Sequence, residues 1–227
     1  MKKIILLLAF CLSVGNLFAQ DANADKLREE GDAAMTAKNY PEVVAKYSEY
    51  LKLTNYEDES RVFNCAFAAY NAKKYDDAIK FYDMAIQKGY KTDDAYVGKA
   101  MSLRSQDKAA DFTATVEAGL KANAQNANLE KLLYAYCMKK GQAAQKAGKT
   151  EEAEELFKDV LVVGNAKYKG NALYSLGVMF YNAGAKILAD ANPIATSDPD
   201  KYAAEKKKAD AQMAKAKGYL EQAIALN

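Results

Sequence analysis

Residues 62–86 read VFNCAFAAYNAKKYDDAIKFYDMAI. A small residue, Ala66, precedes a second core position, Ala78, by twelve places, and a large apolar residue, Tyr82, follows four places later. Those intervals describe a helix, a tight turn and a second helix. The small residue lets two helix backbones approach closely, and the i, i+4 pair puts one packed stripe on the second helix. Asp76 and Asp77 open that second helix, where the positive end of the helix dipole favours them.

The pattern extends in both directions. GDAAMTAKNYPEVVAKYSEYL from Gly31, AMSLRSQDKAADFTATVEAGL from Ala100 and GQAAQKAGKTEEAEELFKDVL from Gly141 repeat the twelve-place step, to Val43, Phe112 and Ala153. The large residue then falls at Tyr47, Val116 and Phe157. Successive units begin 35, 34 and 41 residues apart. Pro41 suits the first turn of a helix, and Thr150 is placed to cap the amides ahead of Glu151 and Glu152.

A period of 34 residues with this spacing resembles the tetratricopeptide repeat family, over roughly residues 24 to 227. Ala66, Tyr75, Ala78, Tyr82 and Ala85 occupy the signature places of the best unit. Phe112 and Gly119 stand where the family usually has alanine, and Tyr50 fills the equivalent place in the first unit. The resemblance implies an all-α fold, a right-handed α-α superhelix of about five helix-turn-helix repeats. Their bounds are about 24–57, 59–92, 93–126, 127–167 and 170–227.

The fifth unit is split. LYSLGVMFYNAG supplies a first helix around Gly177 and AKAKGYLEQAIALN a second with Ala216, Leu220 and Ala223, with an insertion at about 185–211 between them. Apolar residues keep helix-face steps through the insertion: Leu173, Leu176, Phe180, Ala183 and Ile187 on one side, Tyr202, Ala209, Met213 and Ala216 on the other. An elongated antiparallel hairpin is expected, its second helix running from about 199 to 226 for about 40 Å. Seven extra residues before the fourth unit are two helical turns, so residues 127–148 are expected to stay one helix. Lys206, Lys207 and Lys208 have Glu205 and Asp210 beside them and read as a solvated face. The sequence stops on the last turn of a repeat, without the polar cap helix of a finished array. More chain, or a second copy in a homo-oligomer, would cover the bare stripe.

The opening MKKIILLLAFCLSVGNLFAQ has the lysine-rich, apolar and small-residue order of a secretory leader, with cleavage expected near Ala19. Its apolar run from Ile4 to Val14 is shorter than the roughly twenty residues a span needs. Phe10 ahead of Cys11 departs from a lipidation site, so no direct membrane anchor is expected. The leader 1–19 looks bacterial, placing the mature chain 20–227 in a periplasm or outside the cell. There Cys65 and Cys137 sit in helix-patterned apolar stretches and read as buried thiols rather than a disulfide.

Composition excludes much chemistry. The chain of 227 residues has no histidine, which removes serine and cysteine triads and histidine-ligated metals. It carries no glycine-rich phosphate loop, HExxH or CxxC, so no enzyme, cofactor or metal site is expected. Past the leader's two lysines, the 32 basic residues fall to 30 against 30 acidic ones, and nucleic acid is not an expected partner.

The family binds peptides or protein segments on a concave face lined by each repeat's first helix. Carried onto this chain, that face takes Arg28, Asp32 and Met35, then Phe63, Phe67, Tyr70 and Asn71. Val97, Met101 and Arg104 follow, then Met138, Gln142 and Gln145, then Tyr174, Val178, Tyr181 and Asn182. Phe63, Phe67 and Tyr70 share a face of their helix apart from Val62, Cys65, Ala66 and Ala69. That stripe reads either as a groove for a partner's apolar side chains or as packing against neighbouring helices. Asn71 and Asn182 are placed to hydrogen-bond a partner's backbone. The family's clamp for acidic C-termini needs paired basic residues in consecutive first helices, whereas an aromatic unit separates Arg28 from Arg104.

The resemblance implies a non-enzymatic adaptor that binds a protein or peptide partner in cell-envelope assembly, secretion or quality control. An architectural subunit docking through the hairpin is the second reading. Glycan binding is the third, weakened by the absence of tryptophan.

Overall fold

Residues 21–226 of the chain are described by a computed structural model, and every regular element among them is helical. The expected leader and its cleavage point lie outside the described residues. Helix α1 covers residues 21–36, followed by α2 (Tyr40–Leu53), α3 (Glu59–Asn71), α4 (Tyr75–Gln87) and α5 (Thr92–Ser105). Then come α6 (Ala109–Ala122), α7 (Ala127–Lys146), α8 (Thr150–Asp159), α9 (Ala166–Ala191) and α10 (Pro199–Ile224). Short 3-10 turns follow α8 and α9. No described helix is long and apolar enough to cross a membrane.

The tight turns share one closure. Asn39, Lys74, Lys108 and Lys149 each donate a backbone N–H to the carbonyl five residues back, at Ala34, Ala69, Leu103 and Ala144, over 2.8–3.1 Å. The residue before each donor takes a left-handed conformation: Lys38, Lys73, Asp107 and Gly148. This is the glycine-type helix stop, here built mostly without glycine. It also displaces the expected cap of α8. With Gly148 left-handed and Lys149 closing the turn, Thr150 already lies inside the helix, and Lys149 is the cap residue, with no side-chain bond to the helix amides.

Two compact units divide the chain, one up to Thr115 and one from Val116. The core of the first gathers Val43, Tyr47, Leu51, Val62, Cys65, Ala66, Ala78 and Tyr82. A polar cluster beside it has Arg61 forking onto Asp32, with Nη2 to Oδ2 at 2.8 Å and Nε to Oδ1 at 3.3 Å. Tyr47 donates to the same carboxylate over 2.6 Å. Asp58 caps α3 by accepting the Arg61 N–H at 3.0 Å and also accepts from the Tyr50 hydroxyl.

In the second unit α7 is a single helix of 20 residues, as the two-turn insertion predicts, and α9 and α10 form the expected long hairpin. Each hairpin helix has 26 residues, about 39 Å of rise. Its seam differs by one residue from the apolar pattern. Gly177, Gly184 and Ala191 are buried seven apart on α9 and Ala209, Ala216 and Ala223 seven apart on α10, with Gly177 against Ala216 and Gly184 against Ala209, while Ala183 and Ile187 are only half-buried. A seven-residue stripe of small side chains lets the two backbones close up. A β-carbon on Gly177 would meet Leu220 at 2.6 Å, and one on Gly184 would meet the Ala209 carbonyl at 3.0 Å. Lys206 pairs with Asp210 and Lys208 with Glu205, so two lysines of the run are balanced on their own helix.

The buried carboxylate of Glu130 on α7 accepts the N–H groups of Gly164 and Asn165, the latter at 3.0 Å, and so ties the turn before α9.

Candidate functional site

Helix α3 is apolar on two sides. Val62, Cys65, Ala66 and Ala69 are fully buried in the core of the first unit. The second stripe, Phe63, Phe67, Tyr70 and Asn71, faces a pocket of about 360 Å³ whose other wall is α5, through Asp94, Val97, Gly98 and Met101. Those four α5 positions follow i, i+3, i+4, i+7 and so share one helix face. Tyr82 of α4 also lines the pocket, its ring lying on Gly98, where any β-carbon would collide with it.

The aromatic walls are braced by neighbouring rings. Phe63 meets Tyr82 edge-on at 5.8 Å and Tyr90 at 6.2 Å, and the Lys91 ammonium stands 5.1 Å from its ring centre. Phe67 meets Tyr40 edge-on at 6.0 Å, and Tyr70 lies 5.8 Å from Tyr75. The Asn71 amide donates to the Phe67 carbonyl over 2.8 Å. Burial pushes the Tyr82 phenol well above its usual range, aided by Tyr70 and the Asp94 charge, so it stays neutral. The side chains therefore both pack on their neighbours and leave an opening. Phe67 remains 42% exposed. Such a wall presents apolar surface in a fixed geometry, which lowers the ordering cost of binding.

Six of the expected face residues share this pocket: Phe63, Phe67, Tyr70, Asn71, Val97 and Met101. Arg28 and Arg104 belong to the same unit but do not line it. Arg28 pairs with Asp25 at 3.1 Å, and Arg104 is exposed one turn beyond Met101. Asp32, expected on the groove, is instead held by Arg61 and Tyr47. Met138, Gln142, Gln145, Tyr174, Val178, Tyr181 and Asn182 lie in the second unit. Met138 packs against a core of Phe157, Leu176, Met179 and Phe180. Tyr174 and Tyr181, two turns apart on α9, are 60% and 54% exposed, and Asn182 is exposed beside them.

Sequence reasoning missed Tyr82, Asp94 and Gly98. One signal was available: Gly98 stands sixteen residues after Tyr82, the interval that separates Gly31 from Tyr47 and Gly141 from Phe157.

The thiols of Cys65 and Cys137 are buried, unbridged and pushed up to about 12 by that burial, which leaves no thiolate for nucleophilic chemistry. Among the described residues no group of His, Cys, Asp or Glu is arranged to hold a metal ion.

A helix-turn-helix repeat with small residues set against aromatic ones defines the class of fold. No protein-family model matches the chain. A crystal structure of a TPR repeats protein from Bacteroides fragilis is 46% identical to it, with a TM-score of 0.84, covering 90% of this chain and 91% of that one. Over 154 residues, 64% of this chain, it is 30% identical to Hsp70-Hsp90 organizing protein 1 of Glycine max. The chain spans about a quarter of that curated relative's length, 26%. The chain belongs to the tetratricopeptide repeat family.

Proposed function

We propose that this chain is a non-enzymatic adaptor of the bacterial cell envelope, exported to the periplasm or beyond, which holds a segment of a protein partner in the pocket between α3 and α5. The observation that carries the reading is the open, braced wall of Phe63, Phe67, Tyr70 and Met101. A wall of rigid aromatic and methionine side chains suits a partner's apolar anchors better than a polar metabolite. The leader-like residues at the start support export, and envelope assembly, secretion or quality control are the processes that such an adaptor serves.

Crosslinking in intact cells followed by affinity capture tests this. The wild type should capture a defined envelope protein, and a Phe67→Glu, Met101→Glu double variant that keeps its helical circular dichroism should lose it. Sequencing the N-terminus of the exported protein should find a start near residue 20.

A second reading has its own observation. Tyr174, Tyr181 and Ile224 are exposed by 60%, 54% and 74% on the hairpin helices, an apolar display that suits an architectural docking surface, for a larger complex or a second copy of the chain. Capture that survives the pocket variant but fails in Tyr174→Glu, Tyr181→Glu would favour it.

A further inference from the structure

The pocket between α3 and α5, read as the partner-binding site, also carries information about the partner's charge. Among its lining residues only Asp94 is charged. Asp94 is exposed in the first turn of α5, one turn from Val97 and Gly98 and two from Met101, on the same face of the helix. Its carboxylate has no ion-pair partner among the described residues. Neighbouring cations contact groups other than Asp94. Lys91 stands over the rings of Phe63 and Tyr90 at 5.1 and 5.7 Å, and Lys99 pairs with Asp83 at 2.7 Å. Arg104 lies beyond Met101 and does not line the pocket. The opening is thus an apolar slot whose one charged lining group is a carboxylate at its rim. Its volume of about 360 Å³ is at the small end for ligand sites, suited to one or two side chains.

We propose that the slot takes a partner segment in which an apolar side chain, aliphatic or aromatic, is flanked by lysine or arginine. The apolar group seats between Phe63, Phe67, Tyr82 and Met101, and the flanking cation pairs with Asp94. An acidic segment is disfavoured there, because its carboxylates would face Asp94 with no cation lining the pocket to receive them. Rim charges of this kind act mainly on specificity and on the rate of encounter.

Panning a phage-displayed random peptide library on the mature chain tests the assignment. The expected binders carry an apolar residue next to Lys or Arg. They bind Asp94→Lys roughly fivefold more weakly, the scale of an exposed ion pair. Binders selected on Asp94→Lys should carry Asp or Glu at that place instead. Asp94→Asn, which keeps the shape of the side chain, should abolish the preference for either charge. Apolar binders without a basic bias, or binders indifferent to Asp94→Lys, overturn the charge assignment while leaving the pocket as the binding site. Binders that hold equally well to Phe67→Glu, Met101→Glu, or no enriched binder at all, overturn both.

Discussion

The Cδ1–Cε1 edge of the Tyr47 ring on α2 lies against Gly31 on α1, so close that a β-carbon at residue 31 would come within 2.4 Å of it. Tyr47 has nowhere to retreat. It is 1% exposed and its hydroxyl is anchored to Asp32 at 2.6 Å. The same contact recurs between Gly141 and Phe157, where a β-carbon would come within 2.6 Å of the ring.

Gly31→Ala should therefore destabilise the protein by about 1–3 kcal/mol, the range for overpacking a core, despite alanine's better helix propensity. Gly218→Ala is the matched control. Nothing lies within 4 Å of its would-be β-carbon, so it should stabilise by about 0.5–1 kcal/mol. Urea denaturation of both variants measures the opposite signs.

Lys73 holds a left-handed conformation, φ 59°, at the turn between α3 and α4. A side chain there costs about 1–2 kcal/mol, partly offset by glycine's greater freedom in the unfolded chain. Lys73→Gly should raise the thermal midpoint by a few degrees, and an unchanged or lowered midpoint would contradict the turn geometry.

Asp159 at the end of α8 is pushed up to about 6 by burial, then by the charges of Glu117 and Glu155. Its folded state holds a proton that the unfolded chain releases near the ordinary 3.8. Stability supplied by that proton is complete below about 4 and is lost as pH rises through about 6. Asp159→Asn should flatten that decline. Asp32 has the opposite sign. Burial would raise its carboxyl, but hydrogen bonds from Arg61 and Tyr47 outweigh it and hold it below the usual range. Its contribution is present above the unfolded value and disappears as pH falls through the folded one, so Asp32→Asn should lower stability at neutral pH and lessen the loss in acid. Denaturation midpoints across pH 3 to 8 separate the two slopes.

Cys65 and Cys137 should resist alkylation in the native mature chain and both react after unfolding, because each thiol is buried and pushed up to about 12. Mass spectrometry after iodoacetamide counts the labels.

The repeat was legible because its decisive contact is local. Gly31 and Tyr47, or Gly141 and Phe157, meet across one turn at a fixed interval that the sequence displays. The long hairpin was legible because apolar residues keep helix-face steps from Leu173 to Ile187 and again from Tyr202 to Ala223. Its seam was misplaced by one residue, since Gly184 carries no hydropathy signal and only the close approach to Ala209 reveals its role. Thr150 was misread as a cap because the left-handed Gly148 sets where α8 begins. At the candidate site the α3 stripe could be seen in one helix. Of the opposing wall, Val97 and Met101 could be expected, but not Tyr82, Asp94 and Gly98, which meet that stripe only once three helices have packed.

The central claim is that a partner segment occupies the pocket between α3 and α5. Photo-crosslinking in living cells, with benzoylphenylalanine in place of Phe67 in one strain and of Tyr181 in another, tests it most directly. The account predicts a discrete adduct from position 67, abolished by Met101→Glu, and none of the same partner from position 181. An adduct from position 181 alone would contradict it and move the binding surface to the hairpin.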